Sequence, residues 1–223
     1  MIQGIKAVAF DIDGTLYPSW RLYVRLPFYF IKHFSFYLSF NKVRKTLHKT
    51  APLADFFEYQ SRILAEQMKI PPSEAKEKIR RICYDGLTPF FRKVKPYAHA
   101  FETIKNIKAA GYKIAILSDF PPEQKEDIWG IRELCDVCIG SEESGALKPS
   151  VYPFGILAKR LNLKPEEILY VGNSKKYDVF GAKNAGMKSA YLLKGFRKVF
   201  NLSFKQSDFS FKNYRQLEAI VLK

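Results

Sequence analysis

Asp11 and Asp13 stand two residues apart, followed by Gly14 and Thr15, and an apolar run from Ala7 to Phe10 leads straight into them. Runs of that length flanked by turn residues form buried strands of the kind found in parallel sheets. A strand repeats every two residues, so an extended chain past Phe10 turns both carboxylates to the same side. Two carboxylates held together must share either a proton or a cation. An acidic Asp-Gly turn is also ordinary loop chemistry, so the pair alone leaves both readings open.

Further polar groups accumulate downstream. Ser118-Asp119 follows one apolar run, Lys148 lies in Gly145-Ala146-Leu147-Lys148-Pro149, and Gly172-Asn173-Ser174 follows another run, with Asp178 a little beyond. Each falls at the carboxyl end of an expected strand or in the loop after it, where open parallel sheets bind ligands. Two carboxylates, a hydroxyl, a lysine and a third polar loop suit phosphate chemistry. Mg²⁺ takes oxygen ligands, typically one or two carboxylates with phosphate oxygens. A lysine and a hydroxyl can neutralise and orient the remaining phosphate oxygens.

Regular alternation supplies the frame. A first strand is expected over 5–10. After Pro96 come a helix (98–110), a strand (112–117), a helix (122–129), a strand (134–139), a helix (152–161), a strand (168–171), a helix (177–185) and a strand (189–193). Strands alternating with helices of about ten residues argue for parallel βαβ units. The tail offers a possible edge strand at 209–211 and a last helix at 216–222. The fold expected is α/β, a Rossmann-like parallel sheet core formed by 1–16 and 96–223, with a mostly helical insert at 17–95.

That insert has its own texture. Between Asp13 and Asp55 no acidic residue occurs, while Arg21, Arg25, Lys32, Lys42, Arg44, Lys45 and Lys49 are interleaved with Trp, Tyr and Phe. The charges interrupt any span of roughly 20 apolar residues, so no transmembrane helix is expected. Helices are expected at 53–68 and 73–84, the second starting at Ser73 beyond Pro71-Pro72.

The chain of 223 residues carries 37 Lys and Arg against 22 Asp and Glu, a formal charge of +15. That excess attracts anions, whether phosphorylated metabolites, nucleic acid or acidic lipid. Cys135 and Cys138 are spaced C-x-x-C but lack a second pair or a nearby His, and read as core thiols rather than a zinc or redox site. The first residues lack a basic n-region followed by an apolar h-region, and a cytoplasmic location is the default expectation.

Asp11-Ile12-Asp13-Gly14-Thr15 resembles the first motif of haloacid-dehalogenase-superfamily phosphatases, and Ile116-Leu117-Ser118 their second. Lys148-Pro149 is similar to the third, and Gly172-Asn173-Ser174-Lys175-Lys176-Tyr177-Asp178 to the fourth. The four occur in the family's order on a compatible frame, and the likeness covers roughly residues 5–16 and 97–195. The resemblance implies a Mg²⁺-dependent phosphomonoester hydrolase acting on a small phosphorylated metabolite, with the insert as a helical cap that closes over the site. Asp11 would be the nucleophile that forms an aspartyl-phosphate. Asp13 would be the acid and base, its pKa raised beside Asp11. Ser118 and Lys148 would hold the phosphate, with Gly14, Thr15 and Asp119 beside them. The metal would sit on Asp11, Asp13, Asn173 and Asp178.

Two positions depart from the pattern. Asn173 stands where the fourth motif often has aspartate, and Asp119 puts an acid beside the expected phosphate site, so it should face away or hold a lysine. Dehalogenase members lack the acid two residues after the nucleophile, which Asp13 supplies here. A phosphomutase remains open, as does a catalytically weak protein that binds anions, membranes or nucleic acid through the basic aromatic cap. Neither nucleic acid nor an anionic membrane is the expected partner.

Overall fold

The computed structural model describes residues 2–50 and 52–223. Six strands form one sheet: β1 (Ala7–Phe10), β2 (Lys113–Ser118), β3 (Val137–Gly140), β4 (Ile168–Gly172), β5 (Lys188–Leu192) and β6 (Phe209–Phe211). All neighbours pair in parallel, in the order β3-β2-β1-β4-β5-β6. β1 is central and every residue of it is buried. Val8 and Phe10 enter the core on one face, and Ala7 and Ala9 the core on the other. This two-sided burial is why the strand reads as a continuous apolar run.

Helices Ala100–Ala109 and Tyr214–Leu222 cover the first face through Ile104, Ile107, Leu217 and Val221. Helix Val151–Leu161 covers the second through Phe154, Leu157 and Leu161. β1 pairs with β2 on one side and β4 on the other, so the connections diverge there. Such a switch point leaves a crevice at the carboxyl ends of the strands.

Between β1 and β2 the chain runs through helices Ser19–Tyr23, Pro27–Lys32, Phe34–Leu47, Phe56–Met68, Pro72–Lys78 and Thr88–Phe91. Asp55 caps the fourth by accepting a hydrogen bond from Glu58 N at 2.8 Å, and Lys69 ends it in the left-handed region. These helices enclose a core of their own, built on Phe36, Phe40, Val43, Leu47, Leu64 and Ile82. They are pinned to the sheet at defined points. Leu53 N donates to Gly145 O at 2.9 Å. Gly145 lies at φ +84°, and a Cβ there would come within 2.2 Å of Leu53 O, so only glycine allows the approach.

Two expected elements differ. The helix at 122–129 is a single turn, Pro122–Lys125, because Glu126, Ile128, Trp129 and Gly130 all have positive φ. Tertiary contacts hold that conformation: Ile128 is fully buried and Trp129 Nε1 donates to Val94 O at 2.8 Å. The strand expected at 134–139 begins at Val137, because Arg132–Leu134 is a helical turn. Asp136 leads into it, accepting from Ile114 N at 2.8 Å. Cys135 and Cys138 are free, half-buried thiols packed against the core, and burial pushes them up to about 12 and 11. No helix among the described residues is long and apolar enough to cross a membrane.

Candidate active site

Asp11 N donates to Val171 O at 3.0 Å, which carries the β1–β4 pairing one residue past the strand and fixes where the Asp11 side chain leaves it. Gly14 then turns the chain at φ +86°; a Cβ there would meet Asn173 Nδ2 and Ser19 Oγ, each at 2.6 Å. The sharp exit therefore demands glycine.

Lys148 is the hub. Its Nζ donates to Asp11 Oδ1 at 2.9 Å, to Asp178 Oδ1 at 2.8 Å and to the Tyr170 hydroxyl at 3.1 Å. All four side chains are buried. Burial alone would drive the proton off Lys148, but Asp11 and Asp178 outweigh it and hold the ammonium form. Asp178 is fixed from behind, its Oδ2 accepting from Asn173 N at 2.9 Å and Ser174 N at 2.8 Å. Those amides belong to the turn that opens Lys175–Phe180, so the fourth loop binds its own carboxylate before any ligand arrives.

Asp11 is the less comfortable partner. Burial raises it to about 7, with repulsion from Asp178 and Asp13 adding to burial and Lys148 pulling the other way. Its Oδ2 accepts from Thr15 Oγ1 at 2.7 Å, and that hydroxyl accepts in turn from Asn173 Nδ2 at 2.9 Å. Thr15 thus positions Asp11, and its hydroxyl hydrogen is already committed.

Asp13 is held separately. Tyr17 OH donates to its Oδ1 at 2.6 Å; Lys125 Nζ and Ser118 Oγ stand 3.1 and 3.4 Å from its Oδ2. Burial pushes Asp13 up, yet the Lys125 charge and the hydrogen bonds from Tyr17 and Lys125 outweigh it and hold the carboxyl below its ordinary value. This reverses the expected order, in which Asp13 was the raised group and Asp11 the ionised one. The reason is Lys125, buried with its ammonium 4.8 Å from the Phe91 ring centre.

The Asp119 side chain does not join the phosphate-binding set. Its Oδ1 accepts from Ser141 Oγ at 2.9 Å and from Lys148 N at 3.2 Å, so it anchors the backbone of the lysine loop. Its hydrogen bond to Lys148 is through the backbone amide and not the ammonium. Tyr17, Lys125, Tyr170 and Lys194 were not singled out from sequence. Tyr17 follows Asp13, and Thr15 follows Asp11, at the i+4 spacing of one turn, a signal that was there to read. Lys125 and Lys194 carry no such signal.

Asp11, Asp178, the Asp13 carbonyl and the Asn173 side-chain oxygen form a set of hard oxygen donors at one edge. Among the described residues no group of three or more His, Cys, Asp or Glu could hold a metal, so the set depends on amide and carbonyl oxygens. Asn173 Nδ2 donates to Asp13 O at 2.7 Å, and Lys194 Nζ donates to Asn173 Oδ1. The donor chemistry fits Mg²⁺, which favours a few carboxylates completed by neutral oxygens and substrate phosphate.

A family model for haloacid dehalogenase-like hydrolases matches residues 5–186. The chain belongs to that family. Among its relatives are the pyrophosphatase PpaX of Halalkalibacterium halodurans, 27% identical over 199 residues and covering 86% of each chain. The glyceraldehyde 3-phosphate phosphatase of Methanopyrus kandleri is 28% identical over 206 residues, covering 86% of this chain and 85% of that one. The crystal structure of a HAD phosphatase from Thermococcus onnurineus superposes with a TM-score of 0.65 at 21% identity, over 97% of this chain and 98% of that one. This hydrolase has a Rossmann-like α/β core with helical additions, a fold similar to that of the Thermococcus structure. Beside its Asp13 opens a cavity of about 480 Å³ reaching into the helices between β1 and β2.

Proposed function

We propose that the protein is a Mg²⁺-dependent phosphomonoester hydrolase that works through an aspartyl-phosphate on Asp11. The observation that carries this reading is the separation of two carboxylates only two residues apart. Asp11 shares Lys148 with Asp178, while Asp13 lines the cavity beside Tyr17 and is held from outside that lining by Lys125. Nucleophile and acid thereby stand in different surroundings, the arrangement that lets two carboxyls take two roles. The phosphatase names of the relatives in Halalkalibacterium halodurans and Methanopyrus kandleri support the reaction class.

The Asp11 carboxylate attacks phosphorus as the bond to the leaving alcohol breaks, and Asp13 passes its proton to that alcohol. Lys148 offsets charge on Asp11 and on the phosphate, and Ser118 lies within reach of the Asp13 side to receive a phosphate oxygen. A phosphate dianion brought beside Asp13 raises its pKa by like-charge repulsion, countering the hold of Lys125 and loading the acid when substrate is present. After the alcohol leaves, Asp13 takes a proton from water, which attacks the aspartyl-phosphate. Mg²⁺ on Asp11, the Asp13 carbonyl, Asn173 and Asp178 would supply charge compensation for the phosphate oxygens. The segment 17–95 serves as the cap, excluding water during the first step.

Hydrolysis of p-nitrophenyl phosphate with and without Mg²⁺ tests the proposal. Asp11→Asn abolishes turnover, whereas Asp13→Asn lowers kcat by about 10²–10⁴ for an alkyl phosphate, the usual worth of general acid–base catalysis. Full activity in Asp11→Asn would refute the mechanism.

A further inference from the structure

The 480 Å³ cavity beside Asp13 has room for a sizeable organic group. Leu22, Leu26, Phe30 and Phe91 contribute to its wall, and the charged side chains lining it are Asp13 and Arg44. Arg44 is already committed: it pairs with buried Glu142, donates to Gln60 Oε1 at 3.2 Å and lies 4.4 Å from the Phe120 ring centre. The cavity lining therefore presents no uncommitted cation to a second anionic group on a substrate. A carboxylate or second phosphate placed there would lose its hydration without gaining a counter-charge. An apolar alcohol avoids that loss and gains contact with the apolar majority of the wall, beside the polar Ser19, Asn41 and Gln124.

The cavity's rim is apolar as well. Tyr23, Phe34 and Leu38 line it while remaining 61%, 62% and 50% exposed. Phe34 and Leu38 are one turn apart on Phe34–Leu47, so they share a helix face. The preceding helix adds Phe28 and Ile31, 88% and 70% exposed, along with Lys32; Arg21 lies on helix Ser19–Tyr23 and Arg25 in the turn between the two. Scattered exposed apolar side chains are ordinary, but Tyr23, Phe34 and Leu38 line the cavity itself, and the stretch from Arg21 to Leu38 that carries them holds a basic set without one acid. Aromatic and aliphatic side chains beside Lys and Arg suit an anionic lipid surface.

We infer that the substrate is a phosphomonoester of a long apolar alcohol drawn from an anionic lipid surface, its chain lying along Leu22, Leu26, Phe30 and Phe34. This rests on the phosphatase reading and names its substrate class. The bond from Asp11 to phosphorus forms as the phosphorus–oxygen bond to the long alcohol breaks, and the alcohol leaves with the proton from Asp13. Water then releases inorganic phosphate.

The experiment uses n-alkyl monophosphates from butyl to decyl, with glycerol 3-phosphate and phosphoglycolate as polar competitors and p-nitrophenyl phosphate as the control for phosphatase activity. kcat/KM rises about fourfold per added methylene until the cavity is full, the worth of one buried CH₂. A flat series, or preference for phosphoglycolate, overturns the inference while leaving the phosphatase reading intact. Phe34→Asp combined with Leu38→Asp flattens the slope, and both sites are exposed enough to accept the change without unfolding; an unchanged slope counts against the cavity. Dodecyl phosphate in phosphatidylcholine vesicles is cleaved faster when phosphatidylglycerol is included, and equal rates overturn the lipid-surface source. Should p-nitrophenyl phosphate resist hydrolysis, the phosphatase reading has failed. Calorimetry with propyl- and decylphosphonate then tests the cavity by itself, equal affinities overturning it.

Discussion

The sheet edge and the helical segment between β1 and β2 solve opposite problems. At the edge, polar side chains are buried and committed: Lys148 joins Asp11 to Asp178, backbone amides hold Asp178, and Tyr17 and Lys125 hold Asp13. Among the described residues no buried side-chain nitrogen or oxygen lacks a hydrogen-bond partner. The helical segment instead encloses an apolar core and lines an apolar cavity whose rim faces outward. Reaction chemistry needs fixed charges in low dielectric, which demand full satisfaction. Recognition of an alcohol needs shape and apolar surface, which tolerate looseness. Among the polar links between the two regions is the buried pair Arg44–Glu142, which reaches from helix Phe34–Leu47 to the loop after β3.

That shared pair offers the largest break. Glu142 is buried, also accepts from Tyr84 OH at 2.9 Å, and is raised by its burial. Arg44→Met leaves it a buried charge without its partner, a loss of about 3–5 kcal/mol. Removing both ends with Arg44→Met and Glu142→Leu recovers much of that cost, because the desolvation penalty goes with the charges. Urea titrations of both variants check the pair, and equal destabilisation in the two would show that packing around Arg44, rather than its charge, joins the regions.

A comparable effect separates the edge from the helical segment by pH. Asp11 rises from 3.8 to about 7 on folding, so between those values the native state binds more protons than the unfolded one. Stability contributed by this group is therefore full below about pH 4 and falls as pH rises to about 7. Asp11→Asn removes the penalty and stabilises the metal-free protein above pH 7 by on the order of 4 kcal/mol, with no gain near pH 4. Thermal unfolding in EDTA across that range reads the difference. A pH-independent change would place the strain elsewhere than on the Asp11 charge. Stability gained by neutralising a functional carboxylate is the usual cost of an active site, and such a gain would support the role proposed for Asp11.

The same division governs what the sequence made legible. β1 and its motif could be read because a central strand must be apolar throughout and its carboxyl end must turn through Gly14. Asp178 was readable from its loop. Lys125 was not: it reaches Asp13 from 112 positions away, out of a turn broken by the left-handed residues Glu126, Ile128 and Trp129. Local propensity sees a helix there, and long-range packing of Ile128 and Trp129 overrides it. The aromatic residues at 17–40 were visible as composition. Which of them line a cavity and which fill a core depends on how the helices pack, and no short spacing encodes that.

The smallest effect lies at Asn173, the weakest point of the edge. Its side-chain oxygen accepts from Lys194, whose pKa burial lowers while Asp11 and Asp178 pull it the other way. A neutral amide keeps the set at two carboxylates, and Lys194 competes with any cation for the same oxygen. Asn173→Asp adds one charge near the cation, worth on the order of 1 kcal/mol when the site is fully hydrated and the dielectric is near that of bulk water, or about fivefold in affinity. Part of that gain is absorbed by the new Asp pairing with Lys194. Asn173→Asp combined with Lys194→Met therefore binds Mg²⁺ more tightly than either single variant, in calorimetry and in half-saturation of p-nitrophenyl phosphate turnover. If Lys194→Met weakened Mg²⁺ binding, the lysine would be holding the amide in place for the cation rather than standing in its way.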